Sequence, residues 1–151
     1  MEYEPLMEEI EKIVNENKGR DEKLRQICSL LYQHIPYYNW VGFYMANEEK
    51  KELTLGPFIG EPTEHVRIPF GKGICGQAAV AKTTFVVEDV SKESNYLSCS
   101  PEVESEIVVP IMKNGRMVAQ LDIDSHKINA FSNRDRKFLE KICERIATLF
   151  D

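Results

Sequence analysis

The chain has 151 residues, long enough for one domain with a sizeable core, and its 42% hydrophobic and 29% charged residues are an ordinary balance for a globular protein. A net charge of -6 with no offsetting basic cluster argues against nucleic-acid backbone binding. No apolar run approaches the roughly 20 residues of a membrane span.

The opening MEYEPLMEEI is acidic, unlike a secretory or transit signal. Cys28, Cys75, Cys99 and Cys143 lie far apart without CxxC spacing, which argues against a zinc centre. The expectation is a single domain over residues 1–151, in the cytoplasm, with its thiols reduced.

Residues 2–17 read as a helix with Leu6, Ile10, Ile13 and Val14 on one stripe, ended by Asn17-Lys18-Gly19. A second helix runs from about Asp21 to His34, with Leu24, Ile27, Cys28 and Leu31 inward, so Cys28 reads as a small core residue. Tyr38 to Met45 is the first predicted strand. Trp40, Gly42 and Tyr44 share one face, and the glycine leaves a gap that either a ligand or a neighbouring helix would fill. A charged turn leads to a second strand, Glu52 to Phe58, and Val66 to Ile68 is a third, short one.

Pro69-Phe70-Gly71-Lys72-Gly73 introduces a helix from Ile74 to about Lys82. Cys75 falls near its N-terminus, where the macrodipole is expected to lower the thiol pKa. GKG lacks full phosphate-loop spacing. Thr83 to Val87 is another strand, followed by the long polar segment Glu88 to Glu104, which carries Cys99 between two serines. A loop of that length in a compact domain points to function or mobility, and a cysteine there suits reactivity better than packing.

Ser105 to Ser125 reads as a hairpin turning at Asn114-Gly115. Its return strand puts Gln120, Asp122 and Asp124 on one face, with Glu106 at the far end of the partner strand. Either that face is solvated, or the carboxylates line a pocket for something cationic, since burying unpaired charge is costly. Ser132 caps the last helix with Asp135 three residues on, and Cys143 lies on its apolar stripe. The order of elements predicts an α+β fold, an antiparallel sheet with the N- and C-terminal helices packed on one face.

The segments NWVGFY (39–44), LTLGPFIG (53–60), VRIPFGKGICG (66–76), VEDV (87–90), SEIVVPI (105–111) and LDIDS (121–125) together resemble the stand-alone GAF-domain enzymes called free methionine-R-sulfoxide reductases. The resemblance covers residues 20–148 and implies a GAF-like sheet of about six antiparallel strands with a closed ligand pocket. It implies reduction of free L-methionine (R)-sulfoxide without a bound cofactor or metal, an external thiol such as thioredoxin restoring the enzyme. By the resemblance, Cys99 is the thiol that attacks the sulfoxide sulfur, and Cys75 matches a second family cysteine. Glu106, Asp122 and Asp124 match the pocket carboxylates, and Trp40 and Tyr44 its aromatic wall.

The chemistry fits these residue types. A thiolate attacks, a carboxyl of raised pKa protonates the leaving oxygen, and a second thiol condenses with the sulfenic acid. The family usually carries a third cysteine immediately before VRIPFG, where this chain has His65, and Gln120 interrupts a strand that is normally apolar there. Recycling therefore falls to Cys75, which reads equally well as a buried helix cysteine, or to an external thiol. The competing expectation is a GAF binding module that keeps the pocket without turnover. A homodimer through the terminal helices is a further expectation, to which their charged outer faces lend little support.

Overall fold

The computed structural model describes residues 2–97 and 100–151. Six strands form one antiparallel sheet: β1 (Trp40–Asn47), β2 (Glu52–Ile59), β3 (Arg67–Pro69), β4 (Phe85–Val87), β5 (Ser105–Lys113) and β6 (Arg116–Ser125), in the spatial order β3-β2-β1-β6-β5-β4. The fold is the predicted α+β architecture. The long strands β1, β5 and β6 lie inside the sheet. β5 and β6 are joined by the predicted two-residue turn, where Asn114 (φ 54°) and Gly115 (φ 78°) both take left-handed backbone.

Alternation along β1, β5 and β6, interrupted by register shifts between Gly42 and Tyr44 and between Ile111 and Met112, past which Met117 joins the opposite face from Ala119, gives the sheet two different faces. One carries Val41, Phe43, Ile107, Val109, Ile111, Ala119, Leu121 and Ile123, all buried against α1 (Glu4–Val14), α2 (Arg20–His34) and α4 (Asn133–Ile146). Cys28 and Cys143 belong to this core, and burial holds both thiols far above their usual pKa. The opposite face is covered by α3 (Gly73–Ala81) and by the connection from β4 to β5, which contains a 3₁₀ turn at Val90–Lys92. None of the described helices is long and apolar enough to cross a membrane.

The three-helix layer is fastened by specific polar contacts as well as by packing. The Lys23 ammonium is buried and donates to the Val14 carbonyl at 2.7 Å, closing the end of α1. That helix ends at Val14, three residues before the predicted Asn17-Lys18-Gly19 stop. At the start of α4, Ser132 and Asp135 form the predicted capping box. Asp135 does more than cap. Its Oδ1 accepts from the hydroxyls of Tyr3 (3.0 Å), Tyr37 (2.8 Å) and Tyr38 (2.7 Å), so one carboxylate joins the entrance to α1, the approach to β1 and the start of α4.

Candidate active site

The site begins with the register of the three central strands. On the face turned towards α3, Trp40 pairs with Asp124, Gly42 with Asp122 and Tyr44 with Gln120 across β1 and β6. Across β5 and β6, Glu106 pairs with Asp124, Val108 with Asp122 and Pro110 with Gln120. The sheet therefore presents one row of aromatics, one row of polar groups and Glu106 beside them. The solvated alternative for the carboxylates is ruled out, because Glu106, Asp122 and Asp124 are only 6%, 2% and 2% exposed.

The gap at Gly42 is filled by neither a ligand nor a helix. The Trp40 indole folds over it, and a Cβ there would lie 2.5 Å from the ring and 2.8 Å from the Phe58 Cβ. Trp40 is sandwiched between Phe58 (centroids 5.4 Å apart) and Tyr44 (6.4 Å), and its Nε1–H donates to the Glu61 carbonyl. The Tyr44 hydroxyl donates to the His65 carbonyl at 2.9 Å. The aromatic wall is thus held rigidly by both its rings and its polar tips.

Burial drives the Asp124 pKa well up, reinforced by the charge of Asp122; burial raises Asp122 more than its hydrogen bonds to Glu106 and Cys75 lower it. One oxygen each of Asp122, Asp124 and Gln120 is buried with no partner among the described residues. Each such orphan costs on the order of 1–3 kcal/mol. Three on successive same-face positions of one strand mark a place shaped for a donor-bearing guest.

Cys75 lies on the first turn of α3, 5% exposed, with its Sγ 4.0 Å from Glu106 Oε2. The expected thiolate-favouring environment is not found. Burial and the charges of Asp122, Glu106 and Asp124 push the thiol well above its ordinary value, and they outweigh the dipole of a nine-residue helix. Gln120 faces the same helix and donates through Nε2 to the Cys75 carbonyl at 3.1 Å.

α3 has no cap of its own, since Lys72 at the N-cap position makes no side-chain cap bond. The cap comes instead from Asn95 in the β4–β5 connection. Its Oδ1 accepts from Gly73 N (2.8 Å), its Nδ2 donates to the Gly71 carbonyl (2.7 Å), and the Asn95 backbone carbonyl accepts from Gln77 Nε2 (2.9 Å). Leu97 packs directly over Gly73, where φ is +65° and a Cβ would meet Leu97 Cγ at 2.9 Å. The connection that carries Cys99 in the sequence is therefore docked on the helix end that carries Cys75. Asn95 and Leu97 carried no periodic or motif signal. Ser98 and Cys99 lie outside the described residues.

Two cavities flank the carboxylates. One, bounded by Tyr44, His65, Cys75, Leu97, Glu106 and Asp122, has a volume of about 10 Å³. A single water needs about that much. The other, about 140 Å³, is lined by Trp40, Glu61, Ser100, Val103, Asp124 and His126. It approaches the roughly 150 Å³ that admits a benzene-sized guest.

The GAF domain family model matches residues 17–151 of this chain. Protein YtsP of Bacillus subtilis is 38% identical over 144 residues, spanning 95% of this chain and 88% of that protein. The free methionine-R-sulfoxide reductase of Saccharomyces cerevisiae is 44% identical over 110 residues, 72% of this chain and 61% of the yeast protein. Among solved structures, the free methionine-R-sulfoxide reductase from Neisseria meningitidis in complex with its substrate superposes with a TM-score of 0.92 at 34% identity, covering 98% of this chain and 87% of that one.

Proposed function

The chain belongs to the free methionine-R-sulfoxide reductase family of GAF-domain proteins, and from that membership we propose that it reduces free L-methionine (R)-sulfoxide to methionine at the carboxylate row. The observation that carries the reading is the pair of buried oxygens on Asp122 and Asp124 that have no partner among the described residues. An α-ammonium group supplies the hydrogens they lack, while Trp40 and Tyr44 offer dispersion and sulfur–aromatic contact to the side chain. Trp40 and Asp124 line the cavity of about 140 Å³, which has room for a small molecule, whereas Tyr44 and Asp122 line the void beside Cys75, which has none. A guest therefore meets Asp124 and Trp40 first and reaches Asp122 and Tyr44 only if that void widens.

The proposed reaction starts with the Cys99 thiolate attacking the sulfoxide sulfur. A carboxyl of the row, held protonated by burial and by its neighbour's charge, gives its proton to the oxygen. The S–O bond breaks, the substrate sulfur is reduced to a thioether, and the oxygen ends on Cys99 as a sulfenic acid. A second thiol then condenses with that acid, releasing water and leaving a disulfide. An external dithiol of the thioredoxin kind reduces the disulfide and restores Cys99. Cys75 is the internal candidate for the second thiol, but its burial among carboxylates slows thiolate formation, so an external thiol is favoured for this step.

A coupled assay of methionine formation tests the reading. Turnover is expected with dithiothreitol and with thioredoxin, and none with Cys99→Ser. A Cys99→Ser variant that still turns over removes that thiol from the mechanism. Wild-type protein that binds methionine without turnover instead supports a GAF binding module.

A further inference from the structure

The 10 Å³ void beside Cys75 is too small for an amino acid yet is walled by a thiol and two carboxyl groups. One donor atom each from Cys75, Glu106 and Asp122 lies within 4.8 Å of the other two. All three side chains are more than nine-tenths buried, the Asp122 carboxyl is hydrogen-bonded to Glu106 and Cys75, and one of its oxygens has no partner among the described residues. The geometry points to a binding site for a single thiophilic divalent cation, Zn²⁺ or one of its surrogates, on Cys75 Sγ, Glu106 and Asp122.

Magnitudes decide what fits. Zn–S and Zn–O bonds of about 2.3 and 2.1 Å put neighbouring donors about 3.5 Å apart around a tetrahedral ion. The Cys75 Sγ to Glu106 Oε2 separation of 4.0 Å is within a small side-chain rotation of that value. Cys75, Glu106 and Asp122 supply three donors, and the imidazole of His65, which lines the same void but is not among the donors within 4.8 Å, would have to turn inward to complete the fourth position. A thiolate among the donors selects Zn²⁺, Cd²⁺ or Co²⁺ over Mg²⁺ and Ca²⁺, which prefer all-oxygen sites.

The donors come from α3, β5 and β6. The register of β5 with β6 holds the two carboxylates, and the Gln120 bond to the Cys75 carbonyl holds the helix end. This is why no sequence spacing announced the site. On binding, the Cys75 thiol releases its proton to solvent and no electron moves. The ion takes up Asp122 and Cys75 together, so it opposes both recognition of an ammonium group and disulfide formation. The site draws on the same carboxylates as the proposed reaction but stands independently of turnover.

Titration of Co²⁺ into freshly reduced, desalted protein tests it. The expected result is one equivalent bound with a thiolate-to-cobalt charge-transfer band in the near ultraviolet, displaced by Zn²⁺ and untouched by excess Mg²⁺. Cys99→Ser keeps the band, Cys75→Ser abolishes it, and Asp122→Asn and Glu106→Gln each weaken binding by about tenfold or more. Thermal unfolding, run alongside, should show Zn²⁺ stabilising wild type and not Cys75→Ser, with each variant giving a cooperative transition of its own. A band that survives Cys75→Ser, that vanishes with Cys99→Ser, or that never forms overturns the assignment. None of these readouts is activity, so a protein that fails to reduce methionine sulfoxide leaves the result interpretable.

Discussion

Asp122 and Asp124 are costly to bury, each with one oxygen that has no partner among the described residues. Their pKa values are raised by folding, so the ionised unfolded chain gains on the folded one as pH rises. Stability from this pair is fullest below the ordinary aspartate range near 4 and is lost as pH rises through the raised folded values. Asp122→Asn and Asp124→Asn are therefore expected to raise the melting temperature of the free protein at neutral pH and to flatten its fall with pH. The same variants are expected to lose methionine binding by calorimetry. A variant that keeps full affinity would remove the carboxylate from recognition. Gly42→Ala works in the opposite direction. Its Cβ has no room under the indole, and overpacking of this kind costs roughly 1–3 kcal/mol. Trp40 is the only tryptophan, so a shift in intrinsic fluorescence would report its displacement directly. The row of acids was legible in the sequence because period-2 alternation assigns faces. The environment of Cys75 was not: its helix position is a local fact, but the carboxylates that surround it arrive from strands about 30 and 47 residues away.

At the scale of elements, Asp135 and Asn95 each tie together pieces that are distant in sequence. Burial alone would raise Asp135, but hydrogen bonds from Tyr38, Ser132 and Tyr37 outweigh it and hold the carboxyl below its ordinary value. That contribution is present above the unfolded aspartate pKa and is lost as pH falls through the lowered folded value, so it counters the trend of the Asp122–Asp124 pair on acidification. Asp135→Ala leaves the buried Tyr38 hydroxyl and its neighbours without their acceptor and is expected to cost about 3 kcal/mol in urea unfolding, against about 1 for Tyr38→Phe. The capping half of Asp135 was readable from Ser132 three residues upstream, whereas the tyrosine half depends on how α1 and β1 approach α4. Asn95 was not readable at all, because an asparagine in a polar loop looks the same whether it faces water or caps a helix 22 residues away. Asn95→Ala removes the only cap that α3 has among the described residues. It is expected to cost roughly 1 kcal/mol of stability. Its larger effect falls on the β4–β5 connection, read as faster amide exchange over residues 90–97.

For the whole molecule, the division into an apolar helix-covered face and a polar face under α3 followed from strand alternation and element order. The sequence could not say how tightly the second face closes, because Leu97, Asn95 and the Trp40 indole occupy it through tertiary contacts. If methionine is the guest of the polar face, saturation at about a hundred times its Kd should stabilise the fold by about 2.7 kcal/mol, or roughly 5–10 °C for a chain of this size. Differential scanning calorimetry with methionine and with norleucine checks this, and equal shifts would argue that sulfur is not recognised.

The brevity of the outermost strands has a consequence for assembly. Arg67–Pro69 and Phe85–Val87 are three residues each, one includes a proline with no N–H to offer, and the other is followed at once by a turn. An incoming peptide would find only a three-residue ladder on either outermost strand, and the longer open stretches are those of β5 beyond Val108 and of β2 beyond Leu55. A reductant or second copy that extends the sheet would have to do so there, whereas at β3 and β4 it would read side chains.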